Sequence, residues 1–271
     1  MKLYIDIGGT NLRAQIDGSA DIVYENNSTA GLDLVEYIES KLEQYKDINF
    51  VGISYAGQVK DGVIISAPNI AVTQKEIKRY FEERYALKLE IENDLNCAVI
   101  AEADYFKEKN LVAIYVGTGI GSGFVENGKL VHSNSNLVGE IGHIPYKKAP
   151  FKCGCGKDNC IELFASGLAL KKWSKDENVN LEKLKESGSE IALEFEEALL
   201  HAIATAITLF NPKILVLGGG VVEKNAYLLG LVKSRIKEYA PTFSLDGLEI
   251  RKTELINAAM SGAILLENIY I

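Results

Sequence analysis

The hydrophobic pattern opens with a short apolar run, Leu3-Tyr4-Ile5-Asp6-Ile7, closed by Gly8-Gly9-Thr10, which predicts a strand ending in a tight turn. A second apolar run, Val51-Gly52-Ile53-Ser54, precedes Gly57 and reads as another strand. Helices are predicted between strands. Over 32–45, Leu34, Val35, Ile38 and Leu42 share one helical stripe, and over 74–85, Ile77, Tyr80 and Phe81 do so less regularly. Leu87, Leu89 and Ile91 then alternate as in a strand, and the chain turns at Asn93-Asp94 into an alanine-rich helical run over 95–106. Strand and helix in alternation imply an α/β fold.

The second half repeats the opening. Val112-Ala113-Ile114-Tyr115-Val116-Gly117-Thr118-Gly119 matches the form of 3–10 when shifted by 109 residues, about the size of one small α/β domain. The expected division is a small domain over 1–110 and a larger one over 111–255, with 107–110 as the connection. Further on, 189–210 reads as a long amphipathic helix stopped by Asn211-Pro212, and Ile214 to Leu217 as a buried strand ending in Gly218-Gly219-Gly220.

Length and charge narrow the field. At 271 residues the chain exceeds the size at which one hydrophobic core usually keeps growing. Its 47% hydrophobic and 24% charged residues describe a folded chain rather than a disordered one. With 29 basic against 37 acidic residues the net charge is −8, which disfavours a general phosphate-backbone binder. The N-terminus carries no secretory-signal pattern and no window has the 18 uninterrupted apolar residues of a membrane span, so the expectation is a cytoplasmic protein without membrane or nucleic-acid partners.

Two glycine loops suggest phosphate handling. Gly8-Gly9-Thr10 offers backbone N–H groups with no Cβ in the way, Thr10 adds a hydroxyl, and Asp6 stands where a carboxylate could hold Mg²⁺ directly or through water. A plain β-turn beside a buried Asp would have the same sequence. The second loop, Gly117-Thr118-Gly119-Ile120-Gly121-Ser122-Gly123, alternates glycines with other residues as a phosphate cradle requires, but it has neither a Walker lysine nor a helix directly behind it. Phe124-Val125 reads instead as the return strand of a hairpin. One such loop in each domain would place a nucleotide in a cleft between lobes.

The strongest chemical signal is His143 followed by Cys153, Cys155 and Cys160, three of the four cysteines within eight residues. Three soft thiolates and an imidazole make a closed tetrahedral Zn²⁺ set, with Gly154 and Gly156 allowing the loop to fold tightly. Cys97 lies on an apolar helix face and is expected in the core, and His132 and His201 carry no predicted role. Asp94, just past a strand end at a helix N-terminus, has the placement of a general base, although an Asn-Asp helix cap would look the same.

Read together, Asp6-Ile-Gly-Gly-Thr-Asn11, Ala67-Pro68-Asn69, Glu92-Asn93-Asp94, Gly139-Glu140-Ile-Gly-His143 and Cys153-Gly-Cys-Gly-x-x-x-Cys160-x-Glu162 resemble the ROK family (repressor, open reading frame, kinase) over nearly the whole chain. The resemblance implies an actin-like (ribonuclease H-like) two-domain α/β ATPase fold and an ATP-dependent kinase for a hexose, commonly a homodimer with one structural zinc per chain. Carried over by position, Asp94 is the general base, and Gly57, Asn69, Asn93, Glu140, His143 and Glu162 contact the sugar. Asp6, Gly8, Gly9, Thr10, Asn11, Gly117, Thr118, Gly119, Gly121, Gly218 and Gly219 serve Mg-ATP. His143, Cys153, Cys155 and Cys160 hold zinc, and a final helix over 256–269 rejoins the small domain. Where the family has Gly just before the last zinc cysteine, this chain has Asn159.

Glucose, phosphorylated on its 6-hydroxyl, is the leading expected substrate. Mannose, fructose, N-acetylglucosamine and N-acetylmannosamine fit the same segments, and a non-catalytic sugar sensor is the alternative from another class. A repressor reading is disfavoured, because the first strand is predicted at residue 3, which leaves a helix-turn-helix reader no place ahead of it.

Overall fold

The computed structural model describes residues 1–18, 22–66 and 70–268. In chain order the main elements are β1 (Lys2–Ile7), β2 (Asn11–Asp17), β3 (Ile22–Ser28), α1 (Leu34–Gln44), β4 (Phe50–Tyr55), β5 (Gln58–Lys60), β6 (Val63–Ser66), α2 (Ile77–Tyr85), β7 (Lys88–Asn93) and α3 (Asp94–Phe106). They continue with β8 (Leu111–Val116), β9 (Ile120–Glu126), β10 (Lys129–Leu130), α4 (Gly167–Ser174), α5 (Leu181–Glu186), α6 (Glu190–Phe210), β11 (Ile214–Gly218), α7 (Gly220–Lys224), α8 (Tyr227–Arg235), β12 (Glu249–Lys252) and α9 (Ala258–Leu265).

The chain forms two compact units: residues 1–105 with 132–137 and 255–271, and residues 106–131 with 138–254. The first is built on a five-stranded sheet ordered β3-β2-β1-β4-β7, the second on one ordered β10-β9-β8-β11-β12. In each, three antiparallel strands are followed by parallel pairing, β1 with β4 and β4 with β7, β8 with β11 and β11 with β12. β1 and β8 lie 109 residues apart, and each hands its chain to an antiparallel partner through a glycine turn. Segment 132–137, which sequence reading runs with the second half, belongs to the first unit.

Burial explains why the strands read as apolar runs. Leu3, Ile5, Ile7, Val51, Ile53 and Tyr55 have no exposed surface, because both faces of β1 and β4 are covered. β2 alternates between exposed and buried positions instead. Several helices begin at side-chain caps: Asp33 accepts from the Val35 and Glu36 amides at α1, and Ser189 from the Ile191 amide at α6. α6 ends where Asn211 turns left-handed at φ 41°, ahead of Pro212.

The C-terminal return rests on close backbone contact. α9 packs on β1 and β4, and a Cβ on Gly262 would collide with the Cys97 carbonyl oxygen of α3. A Cβ on Gly52 in β4 would likewise meet the Ala263 carbonyl. The fit predicts that Gly262→Ala costs about 1–3 kcal/mol by overpacking, read as a fall of roughly 3–10 °C in the thermal midpoint. Gly230→Ala, whose Cβ meets nothing within 4 Å, is the control that should not fall. An unchanged midpoint for Gly262→Ala would show that α9 is free to shift.

Candidate active site

In the first unit the site is built where β7 becomes α3. The change of element exposes the first N–H groups of the helix, and Asn93 covers two of them: its Oδ1 accepts from the Leu95 amide at 2.9 Å and the Asn96 amide at 3.2 Å. Its Nδ2 donates to the Gly57 carbonyl at 3.1 Å, so Asn93 both caps α3 and holds the turn after β4. Gly57 has no room for a side chain, since a Cβ there would lie 2.5 Å from the Ser66 carbonyl oxygen.

Asp94 follows, half-buried in the first turn, with Oδ1 accepting from the Leu95 amide at 2.9 Å. Burial pushes its carboxyl up to about 6; the Leu95 hydrogen bond opposes the rise and the Asp6 carboxylate adds to it. At pH 7 roughly nine in ten such carboxyls are ionised. The group can therefore accept a proton near neutrality while its conjugate acid remains accessible.

Asp6 is buried at the end of β1. Oδ1 accepts from the Ser54 hydroxyl at 3.1 Å, and Oδ2 from Arg13 Nη1 and Asn257 Nδ2, each at 3.1 Å. The turn beyond it is narrow, with the Gly8 amide donating to the Asn11 carbonyl at 2.9 Å. Gly9, Thr10 and Asn11 stand exposed, and the Thr29 hydroxyl braces the Gly9 carbonyl at 3.0 Å.

The second unit brings together the other glycine loop, the Gly139–His143 motif and the cysteines. Between β8 and β9 the Gly117 amide donates to the Gly119 carbonyl at 2.9 Å. The first amides of α4, Gly167 and Leu168, donate to the carbonyls of Gly117 and Thr118 at 2.8 and 3.1 Å, so the helix holds the loop from behind. The glycines at 139 and 142 let the following 3-10 turn, Ile141–His143, lie on the backbone of β9: Cβ atoms there would strike the carbonyls of Ser122 and Ile120. Gly121 sits within β9. Gly218 ends β11 against the Tyr115 ring, and Gly219, at φ 90°, turns the chain into α7.

One ligand atom from each of His143, Cys153, Cys155 and Cys160 lies within 4.8 Å of the other three. Cys153 Sγ is 3.4 Å from His143 Nδ1, and Cys155 Sγ is 3.4 Å from Cys160 Sγ. Thiolates about 2.3 Å from a tetrahedral zinc stand ~3.8 Å apart, so the donor set and its spacing suit that ion after small adjustments. Without a metal, burial pushes the Cys153 thiol up to about 12, while the Lys157 backbone amide and the Cys160 thiol draw Cys155 down. A bound cation favours thiolates throughout.

His143 turns its Nδ1 to the thiols and its Nε2 toward Glu140 Oε2 at 3.6 Å. Glu162 lies between cluster and loop: Oε1 accepts from Cys153 Sγ at 3.4 Å and Oε2 from the Ile120 amide at 3.3 Å. Asn159 does not need the left-handed conformation that a glycine would supply, and its carbonyl accepts from the Tyr146 amide at 2.7 Å.

A model of the ROK family matches residues 3–268. The chain belongs to the ROK family. A glucokinase of Halalkalibacterium halodurans is 28% identical over 303 aligned residues, covering 94% of this protein and 91% of its own length. The xylose repressor of Bacillus subtilis is 30% identical over 199 residues, 69% of this chain and 52% of the repressor. Among solved structures, a ROK family glucokinase from Streptomyces griseus in complex with glucose and AMPPNP superposes with a TM-score of 0.72 at 25% identity, over 97% of both chains. The fold is the two-domain, actin-like α/β fold of the ROK family.

Of the residues that sequence singled out in this ROK chain, Asp6, Gly57, Asn93 and Asp94 fall in the first unit, and Glu140, His143, Glu162 and the cysteines in the second. Asn69, with Ala67 and Pro68, lies outside the described residues. Cys97 is fully buried, and His201 packs between Tyr146 and Tyr239 with ring centroids 5.3 and 5.2 Å away. His132 is the surprise, its Nε2 lying 3.0 Å from Glu92 Oε2. Asn136 reaches the same carboxylate at 3.0 Å. No local pattern marks either residue, because their partner is 40 or more positions away. Among the described residues no helix is long and apolar enough to cross a membrane.

Proposed function

We propose that the protein is an ATP- and Mg²⁺-dependent sugar kinase that transfers the γ-phosphoryl group to a hexose hydroxyl, with the 6-hydroxyl of glucose as the leading acceptor. The observation that carries this reading is Asp94, a carboxylate presented at the start of α3 and poised by burial to take a proton near neutral pH. Asp94 accepts the hydroxyl proton as that oxygen attacks the γ-phosphorus in line and ADP departs. The base contributes about 10²–10⁴-fold, and positioning and charge neutralisation supply the rest.

Asn93, Gly57 and Asn69 in the first unit, and Glu140, His143 and Glu162 in the second, are assigned to the sugar hydroxyls. The turn from Gly8 to Asn11, the loop Gly117, Thr118, Gly119 and Gly121, and Gly218 with Gly219 are assigned to the nucleotide. Asp6 would hold Mg²⁺, directly or through water, and that cation offsets phosphate charge. Zinc on His143, Cys153, Cys155 and Cys160 is assigned a structural role. It would leave Nε2 of His143 free to meet a hydroxyl in a fixed orientation, which the placement of Nδ1 toward the thiols supports. A homodimer in the cytoplasm completes the reading.

Mannose, fructose, N-acetylglucosamine and N-acetylmannosamine are the competing acceptors. The deciding experiment is ADP release with Mg-ATP on each of the five sugars. Turnover is expected on at least one, with glucose first; silence on all five from zinc-replete protein that binds ATP would overturn the kinase reading in favour of a sugar sensor.

A further inference from the structure

Glu92 has no part in the chemistry above, yet it is only 2% exposed and its contacts are unusually complete. Oε1 accepts three N–H groups: the Asn93 backbone amide at 2.7 Å, Asn96 Nδ2 at 2.9 Å and Asn136 Nδ2 at 3.0 Å. Oε2 faces His132 Nε2 at 3.0 Å. These partners come from two stretches distant in sequence, the first turn of α3 and segment 132–136.

The same segment holds the turn that follows Gly57. Asn136 Nδ2 also donates to the Val59 carbonyl at 2.8 Å, and Gln58 Nε2 donates to the Ser135 carbonyl at 2.9 Å. Asn93 Nδ2 closes a ring by donating to Gly57. Glu92 thus links the turn that bears Asp94, the turn that bears Gly57, and a segment whose Asn136 is held in the left-handed region at φ 54°. Asn tolerates that conformation better than most residues, and the surrounding bonds hold it there. Burying a carboxylate is costly, and an apolar side chain of similar size would fill the space more cheaply, but it could not accept three N–H groups at once.

We infer that Glu92 is a positioning residue for phosphoryl transfer: through Asn136 and His132 it keeps the Asp94 turn and the Gly57 turn in one register. The inference rests on the kinase reading. A displacement of about 1 Å in such a site costs on the order of 10²-fold in rate, so loosening the ring should reach turnover without any contact to the reacting atoms.

The test compares Glu92→Gln, Glu92→Leu and Asn136→Gly with Val35→Ala, a core change in α1 that lowers stability without touching the ring. Thermal midpoint, kcat, and KM for sugar and ATP are measured well below every midpoint. The amide oxygen of Glu92→Gln can take the three N–H groups and its NH₂ can donate to a neutral His132, so kcat should stay within about threefold of wild type. Glu92→Leu should lose at least about tenfold in kcat and raise the sugar KM, with the ATP KM unchanged. Asn136→Gly keeps the backbone conformation but removes two hydrogen bonds, and should raise the sugar KM at least threefold.

Identical kinetics for Glu92→Leu and Val35→Ala would reduce Glu92 to a structural role and overturn the inference, as would a Glu92→Gln protein as poor as Glu92→Leu. If Glu92→Leu does not fold, Asn136→Gly decides, and an unchanged sugar KM overturns it. A wild-type protein silent on every sugar defeats the kinase reading and the inference with it; an active wild type with indifferent variants defeats the inference alone.

Discussion

Asp94→Asn is expected to lose at least about 10²-fold in turnover while making the folded protein more stable at pH 7.5. Both effects come from one carboxyl. Its value is about 6 in the native state against an ordinary 3.8, so between those values the native state binds the proton that the unfolded chain releases. Stability therefore falls as pH rises through that window; the penalty is complete above about 6 and absent below about 3.8. Its upper size is about 3 kcal/mol, and because Asp94 is half-buried, solvent screening reduces it to on the order of 1–2 kcal/mol.

The neutral amide removes that penalty, so the variant's midpoint should exceed wild type at pH 7.5 and converge on it at pH 4. In wild type, kcat/KM should fall tenfold per pH unit below about 6, as Asp94 becomes protonated. Equal turnover in the two proteins would remove Asp94 from the chemistry. A variant that melts below wild type at pH 7.5 would mean that the carboxylate is stabilised by its surroundings instead of strained by them.

Metal removal carries the other large effect. Zinc binding to a Cys₃His set is worth about 10–16 kcal/mol in apparent free energy, comparable to the 5–15 kcal/mol stability of a whole domain. Chelation at neutral pH should therefore disorder the stretch from His143 to Glu162. The only tryptophan reports on it directly. Trp173 Nε1 donates to the Leu163 carbonyl at 2.8 Å, and its ring packs on Phe151 and Phe164 with centroids 5.2 and 5.6 Å away. The expected result is a red-shifted Trp173 emission on chelation, reversed by added Zn²⁺, with close to one zinc per chain in protein never exposed to chelator. Emission and melting that ignore the chelator, or a metal content near zero, would rule the site out.

Much of the architecture was legible because it follows from local periodicity. β1 and β8 announce themselves as apolar runs ending in glycines, and their 109-residue offset reflects a topology used twice. α6 is a 21-residue amphipathic stretch with a serine cap and an Asn-Pro stop, so it ends at Phe210 as expected and starts one residue later than the expected 189, because Ser189 is its cap. α2 begins at Ile77 instead of residue 74, because Glu76 offers no side-chain cap and the three preceding residues remain outside the helix. The thiols and His143 were legible as a donor set because metal ligands must be of particular types, and three of them are close in sequence.

What the pattern of residues determined by itself was the alternation of strands and helices, the repeated strand-and-glycine opening, the cysteine cluster and the Asn-Asp pair at a helix start. Tertiary structure alone decided that Glu92 is buried beside His132 and Asn136, that segment 132–137 belongs to the first unit, and that Asn93 clamps Gly57 as well as capping α3. The reason is physical. Periodicity and capping depend on neighbours within a few residues, whereas a carboxylate's environment depends on which distant N–H groups the packed chain brings to it, and each such hydrogen bond is stronger in a low-dielectric interior than in water.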